Sequence, residues 1–87
     1  MNPFEIRIEI DHRYRYYKVE EVYRDGSIER FKLIGKNNSV IIQSNRPLLR
    51  AKGLRHKKVD WKILEGIVLY PRGFELIITE IMKAIDA

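Results

Sequence analysis

The chain contains no cysteine. That excludes disulfides, thiolate metal sites and thiol nucleophiles together, and it argues against a small secreted scaffold, which at this size usually needs covalent staples. Histidine is nearly as scarce. His12 and His56 each stand beside charged residues, with no H-x-x-x-H spacing and no thiolate to complete a zinc set. Both read as solvated surface side chains, and no metal or cofactor is expected. No apolar run approaches the roughly 20 residues that cross a bilayer, so no membrane segment is expected. The first residues, MNPFEIRIEID, carry charges at Glu5, Arg7, Glu9 and Asp11 and lack the apolar core of a secretion signal. A cytoplasmic protein is expected. Repeats, low-complexity tracts and linker-like stretches are missing too, which leaves a single domain over residues 1–87.

What is present fits a small folded unit. Of 87 residues, 45% are hydrophobic and 33% charged, enough apolar surface for a thin core. Phe4, Ile6, Ile8 and Ile10 alternate with Glu5, Arg7 and Glu9; period two means a strand with one buried side. Asp11-His12-Arg13 reads as a turn, and Tyr14 to Tyr23 as a longer strand. In that strand Tyr17 and Val19 share a face, but the next apolar residue is Val22. One extra residue near Glu20-Glu21 restores the alternation, so a bulge is expected there. Asp25-Gly26 predicts a type I′ hairpin turn, because glycine supplies the positive φ that this turn needs. Ile28 to Ile34 is the return strand, Gly35 to Ser39 a second turn, and Val40 to Gln43 a fourth strand.

Beyond the meander, Ser44 or Asn45 can cap a short helical turn with Pro47 near its start and Gly53 just past its end. Trp61 to Leu64 reads as a fifth short strand. After a break at Pro71-Arg72-Gly73, the residues Phe74, Ile77, Ile78, Ile81 and Ile85 fall on one helical stripe. The expected fold is α+β: an antiparallel meander of four or five strands covered by one C-terminal helix.

Catalytic chemistry is not evident. Glu20 and Glu21 are adjacent in a strand and point to opposite faces; Glu5 and Glu29 read as solvent-facing. The stretch GKNNS lacks the spacing of a phosphate loop and precedes a strand rather than a helix. Acids, bases and nucleophiles never cluster, so an enzyme is not expected.

Charge, by contrast, is concentrated. The stretch RPLLRAKGLRHKKVDWK holds Arg46, Arg50, Lys52, Arg55, Lys57, Lys58 and Lys62 against one acid, Asp60, a net +6. The whole chain is +5, so the rest sums to −1. Leu48, Leu49, Leu54 and Val59 lie within the stretch, so it is expected to dock on the domain rather than to trail as a tail, with Trp61 anchoring its end. Fixed cations of this kind attract phosphate backbones. A second feature interleaves basic and aromatic residues: Arg13, Tyr14, Arg15, Tyr16, Tyr17 and Lys18. With Tyr17 and Val19 inward, Tyr14 and Tyr16 face out, either as strand-packing tyrosines or as a platform on which bases stack. The expected function is a non-enzymatic nucleic-acid-binding module that uses the basic loop, with Arg13, Arg15, Tyr14 and Tyr16 assisting. The alternative is a protein–protein interaction module or a homodimer, favoured by the apolar run Ile67-Val68-Leu69-Tyr70 in a loop and by open sheet edges.

The run RPLLRAKGLRHKKVDWKILEG after an FEIRIEI first strand resembles small bacterial proteins of unknown function. The resemblance implies a cytoplasmic bacterial origin and a compact α+β domain. It implies no activity and no functional residue. In layout alone, a meander followed by a C-terminal helix is similar to single-strand-binding transcriptional coactivators, and layout does not fix function.

Overall fold

The computed structural model of the chain describes residues 2–54, 56–68 and 71–85, and only the backbone of Pro71. Five strands form one antiparallel sheet in sequential order: β1 (Phe4–Ile10), β2 (Arg13–Arg24), β3 (Glu29–Ile34), β4 (Ser39–Ser44) and β5 (Trp61–Glu65). A short helix α1 (Arg46–Ala51) follows β4, and a long helix α2 (Pro71–Ile85) follows β5. The α+β meander expected from the pattern is the fold found, with the fifth strand present.

The core lies on one side of the sheet. Ile6 and Ile8 of β1, Val19 of β2, Phe31 and Leu33 of β3, and Val40 and Ile42 of β4 meet Ile77 and Ile81 of α2 in one buried cluster. Phe74 and Ile85 pack at its margin, so the stripe read from the helical spacing is the face that docks. The helix begins at Pro71, earlier than the break expected there. Proline is tolerated in a first turn because its missing N–H has no helical partner anyway.

Turn chemistry departs from expectation. Among the described non-glycine residues the left-handed ones are Asp11 (φ 52°) and His12 (φ 64°), so the type I′ turn joins β1 to β2. At the β2–β3 turn Gly26 stays out of the left-handed region. There the Asp25 carboxylate organises the loop, accepting from the Ser27 and Ile28 amides at 2.7 and 2.8 Å. A side chain that caps its own turn replaces the positive-φ solution.

The bulge exists, between Glu21 and Tyr23. Its effect differs from the one inferred. Val22 is not returned to the core; it is the extra residue and is 49% exposed.

Glu29, expected to face solvent, is fully buried. It lies on the same side of β3 as Phe31 and Leu33, where it meets Arg46. The alternation of β3 was readable, but a carboxylate at an inward position signals burial only if its partner is known.

Candidate nucleic-acid interface

The basic segment is an excursion between β4 and β5 with its ends tied together. The Asp60 amide donates to Asn45 Oδ1 at 2.8 Å, and the Asn45 amide donates to the Asp60 carbonyl at 3.3 Å. Inside the excursion, the Leu54 amide donates to the Leu49 carbonyl at 2.8 Å, and Gly53, left-handed at φ 68°, turns the chain at the end of α1. Leu49, Leu54 and Val59 line a hollow together with Met82 of α2. The Trp61 ring lies 6.1 Å from that of Phe31, 28° from parallel. The segment is therefore docked at both ends and along its apolar side.

Docking divides its cations. Arg50, Lys52, Lys57, Lys58 and Lys62 are exposed. Arg55 lies outside the described residues. Arg46 is a correction: it is 5% exposed and lies inside. Its guanidinium donates to Glu29 from Nε at 2.7 Å and from Nη2 at 2.8 Å. Ser44 Oγ donates to the same carboxylate at 2.6 Å, and Arg24 adds a longer contact of 3.3 Å. Burial alone pushes the Glu29 carboxyl up. The hydrogen bonds from Arg46 and Ser44, with the Arg46 charge and the Arg24 contact, outweigh it and hold the carboxyl below its usual range. Arg46 fastens α1 to the sheet and presents no charge outward.

Both helices sit on the core side. Among the described residues no element covers the opposite side of the sheet. Strand register shows what that side carries, because residues paired across an antiparallel ladder share a face. Arg7 pairs with Tyr16, and Glu9 with Tyr14; all alternate with the buried Ile6 and Ile8. Tyr14 and Tyr16 are 54% and 53% exposed. The Arg7 guanidinium lies 4.6 Å from the centre of the Tyr14 ring, a cation–π distance. Lys18 and Glu20, on the same face, form an ion pair of 3.2 Å.

A second row crosses the sheet nearer the basic segment. Tyr23 pairs with Arg30, Arg30 with Gln43, and Gln43 with Lys62. Arg30 Nε donates to Gln43 Oε1 at 3.0 Å, and its guanidinium lies 4.9 Å from the Tyr23 ring centre. Tyr23 Oη donates to Asp25 Oδ2 at 2.7 Å. That hydrogen bond and the Asp25 charge raise the Tyr23 hydroxyl above its usual range. Asp25 is lowered, first by the Ile28 and Ser27 amides and then by Tyr23. Lys62, the last cation of the basic segment, thus belongs to the uncovered face.

Arg13 and Arg15 are placed differently from Tyr14 and Tyr16. They pair with Ile10 and Ile8, so they face the core side at the projecting end of the β1–β2 hairpin. Arg15 lines a cleft of about 730 Å³ with Ile8, Ile10, Tyr17 and Val68, a cleft whose lining also includes Tyr14 and Tyr16. The aromatic partners on the uncovered face are instead Arg7 and Arg30, which sequence reasoning missed. Their alternation on polar strand sides was visible; their registers against Tyr14 and Tyr23 were not.

Among the described residues, no group of three or more His, Cys, Asp or Glu converges as a metal site, and no helix is long and apolar enough to cross a membrane. Compared with protein-family models, curated proteins and solved structures, the chain matches none of them.

Proposed function

We propose that the protein is a non-enzymatic module that binds single-stranded nucleic acid across the uncovered face of its sheet. The observation that carries this reading is the Arg7–Tyr14 stack with Tyr16 beside it, exposed on a face that no described element covers. Every base has a π face, so aromatic rings and guanidinium planes on an open sheet hold single strands with little regard to sequence. Duplex DNA has its bases stacked internally and offers no such surface. Lys62 and Arg30 on the same face supply cations for the phosphates, and the exposed Lys58 precedes β5 by three positions.

The face also carries Glu5, Glu9, Glu20 and Glu65. Glu5 and Glu9 lie on the β1 edge, Glu65 lies on the β5 edge, and Glu20 is paired with Lys18. The row Tyr23–Arg30–Gln43–Lys62 has one carboxylate at its end, Asp25, whose oxygens accept from the Tyr23 hydroxyl and the Ser27 and Ile28 amides. A polyanion is therefore favoured along the half of the face that the basic segment borders.

The test is fluorescence anisotropy with labelled single-stranded and double-stranded oligonucleotides at two salt concentrations. The expected result is a preference for single strands, weakening as salt rises, and lost in the Tyr14→Ala, Tyr16→Ala double variant. No binding at low salt would overturn it. A second reading, a protein interface or self-association, draws on Ile67, which is 72% exposed beside the cleft. Binding or self-association that persists at high salt and fails on Ile67→Ser would favour that reading.

A further inference from the structure

The bulge in β2 decides which side of the sheet Tyr23 occupies. Upstream of it, Tyr17 and Val19 point to the core and Tyr14, Tyr16, Lys18 and Glu20 point away. Unbroken alternation would send Glu21 and then Tyr23 to the core side. Glu21 does go there, opposite Phe31. Val22 is then the unpaired extra residue, and Tyr23 emerges opposite Arg30, on the outer face with Tyr14 and Tyr16. Bulges are known for re-aiming side chains in this way.

Tyr23 is also held more firmly than an exposed strand tyrosine needs to be. Its hydroxyl is tied to Asp25, which is itself fixed by the turn amides. Its ring carries the Arg30 guanidinium at 4.9 Å, and Arg30 is in turn braced by Gln43. The arrangement repeats the Arg7–Tyr14 stack at the opposite end of the same strand. Each Arg–Tyr pair offers a flat, cationic, pre-positioned surface, and 43% of Tyr23 remains open to solvent.

We infer that the bulge at Val22 recruits Tyr23 as a second stacking station, so that one nucleic-acid strand is held at two points along β2. This rests on the single-strand reading above. Tyr16 and Tyr23 are seven positions apart, but Val22 is the bulge residue, so the strand advances about six steps, or about 20 Å at ~3.3 Å per residue. An extended strand of several nucleotides spans that gap, with Lys18, Lys32 and the Lys18-paired Glu20 lying between the stations. Two tethered contacts make the second binding event intramolecular, so affinity rises in a step once an oligomer reaches both.

The experiment is a length series of labelled oligothymidylates, from about 3 to about 16 nucleotides, against the intact protein, Tyr23→Ala and Tyr23→Phe. The expected result is weak binding of the shortest oligomers and a step between about 4 and 8 nucleotides. Tyr23→Ala should remove the step and weaken long oligomers by about 5- to 150-fold, the worth of one stacked base, while leaving the shortest nearly unchanged. Tyr23→Phe, which keeps the ring and loses the Asp25 hydrogen bond, should keep the step. Binding by the intact protein that rises smoothly with length, or a step that survives Tyr23→Ala, would overturn the second station and leave the single-strand reading standing. No binding at any length would overturn both.

Discussion

Arg46 grips Glu29 through two hydrogen bonds inside the protein, Nε to Oε2 at 2.7 Å and Nη2 to Oε1 at 2.8 Å. The pair joins α1 to β3 across 17 positions of sequence, at the point where the basic segment leaves the sheet. A buried ion pair is not in itself a large source of stability, because both groups lose their hydration. Removing Arg46 is another matter, since Glu29 stays buried with only the Ser44 hydroxyl and the longer Arg24 contact to compensate it. Arg46→Met alone should cost about 3–5 kcal/mol in urea unfolding. Combining it with Glu29→Leu should restore part of the loss. A neutral single variant would mean that the pair is not shielded from water.

The same carboxylate sets an acid dependence. Its folded pKa lies below its ordinary value, and an unperturbed glutamate titrates near pH ~4.3. The stability it contributes is fully present above that unfolded value. It is lost as pH falls through the lower, folded one. Asp25 is shifted the same way and adds to the trend. Urea midpoints measured downward from neutral pH should fall most steeply below pH ~4.3, and Glu29→Gln should flatten that fall while starting from a lower midpoint. An unchanged profile would show that other carboxylates govern it.

Gly66 gives a contrast that backbone geometry decides. It is left-handed at φ 86°, and a Cβ there would lie 2.6 Å from the Ser39 carbonyl oxygen and 3.1 Å from Val40 Cα. Both obstacles are backbone atoms, which have little freedom to move. Gly66→Ala should destabilise by more than about 1 kcal/mol. Gly26→Ala meets nothing within 4 Å and needs no left-handed backbone, so it should be neutral or stabilise by up to about 1 kcal/mol. Thermal unfolding of the two variants side by side separates these outcomes.

Strand periods, the helix stripe and the docked character of the basic segment were all legible, because each depends on local spacing. Pairwise relations were not. Nothing in FEIRIEI tells which tyrosine Arg7 will meet, since a shift of one residue moves every side chain to the other face. Arg46 looked like one more cation of a basic run; only the three-dimensional placement of Glu29 turns it inward. The bulge was inferred from the misplaced Val22, and its location was right. Its consequence is not legible from the apolar residues alone: Val22 stays exposed and Tyr23 is carried to the outer face. Arg13 and Arg15 were grouped with the tyrosines they neighbour in sequence, although adjacent strand residues face opposite ways.

The basic segment and the sheet face make separable contributions to binding, and salt distinguishes them. A cation that contacts phosphate releases counterions when it binds, lowering the slope of log affinity against log salt by about 0.7 per contact for single strands. Lys57 and Lys58 are exposed and precede β5 in sequence, Lys57 at the hollow that Met82 of α2 also lines. Lys57→Gln with Lys58→Gln should make the slope shallower by about 1.4, with the thermal midpoint unchanged. Tyr14→Ala should instead weaken binding with the slope nearly intact, because stacking releases few ions. Anisotropy titrations over a range of salt concentrations give both quantities. If the lysine variant keeps the parent slope, the basic segment does not touch phosphate, and whatever binding remains belongs to the sheet face alone.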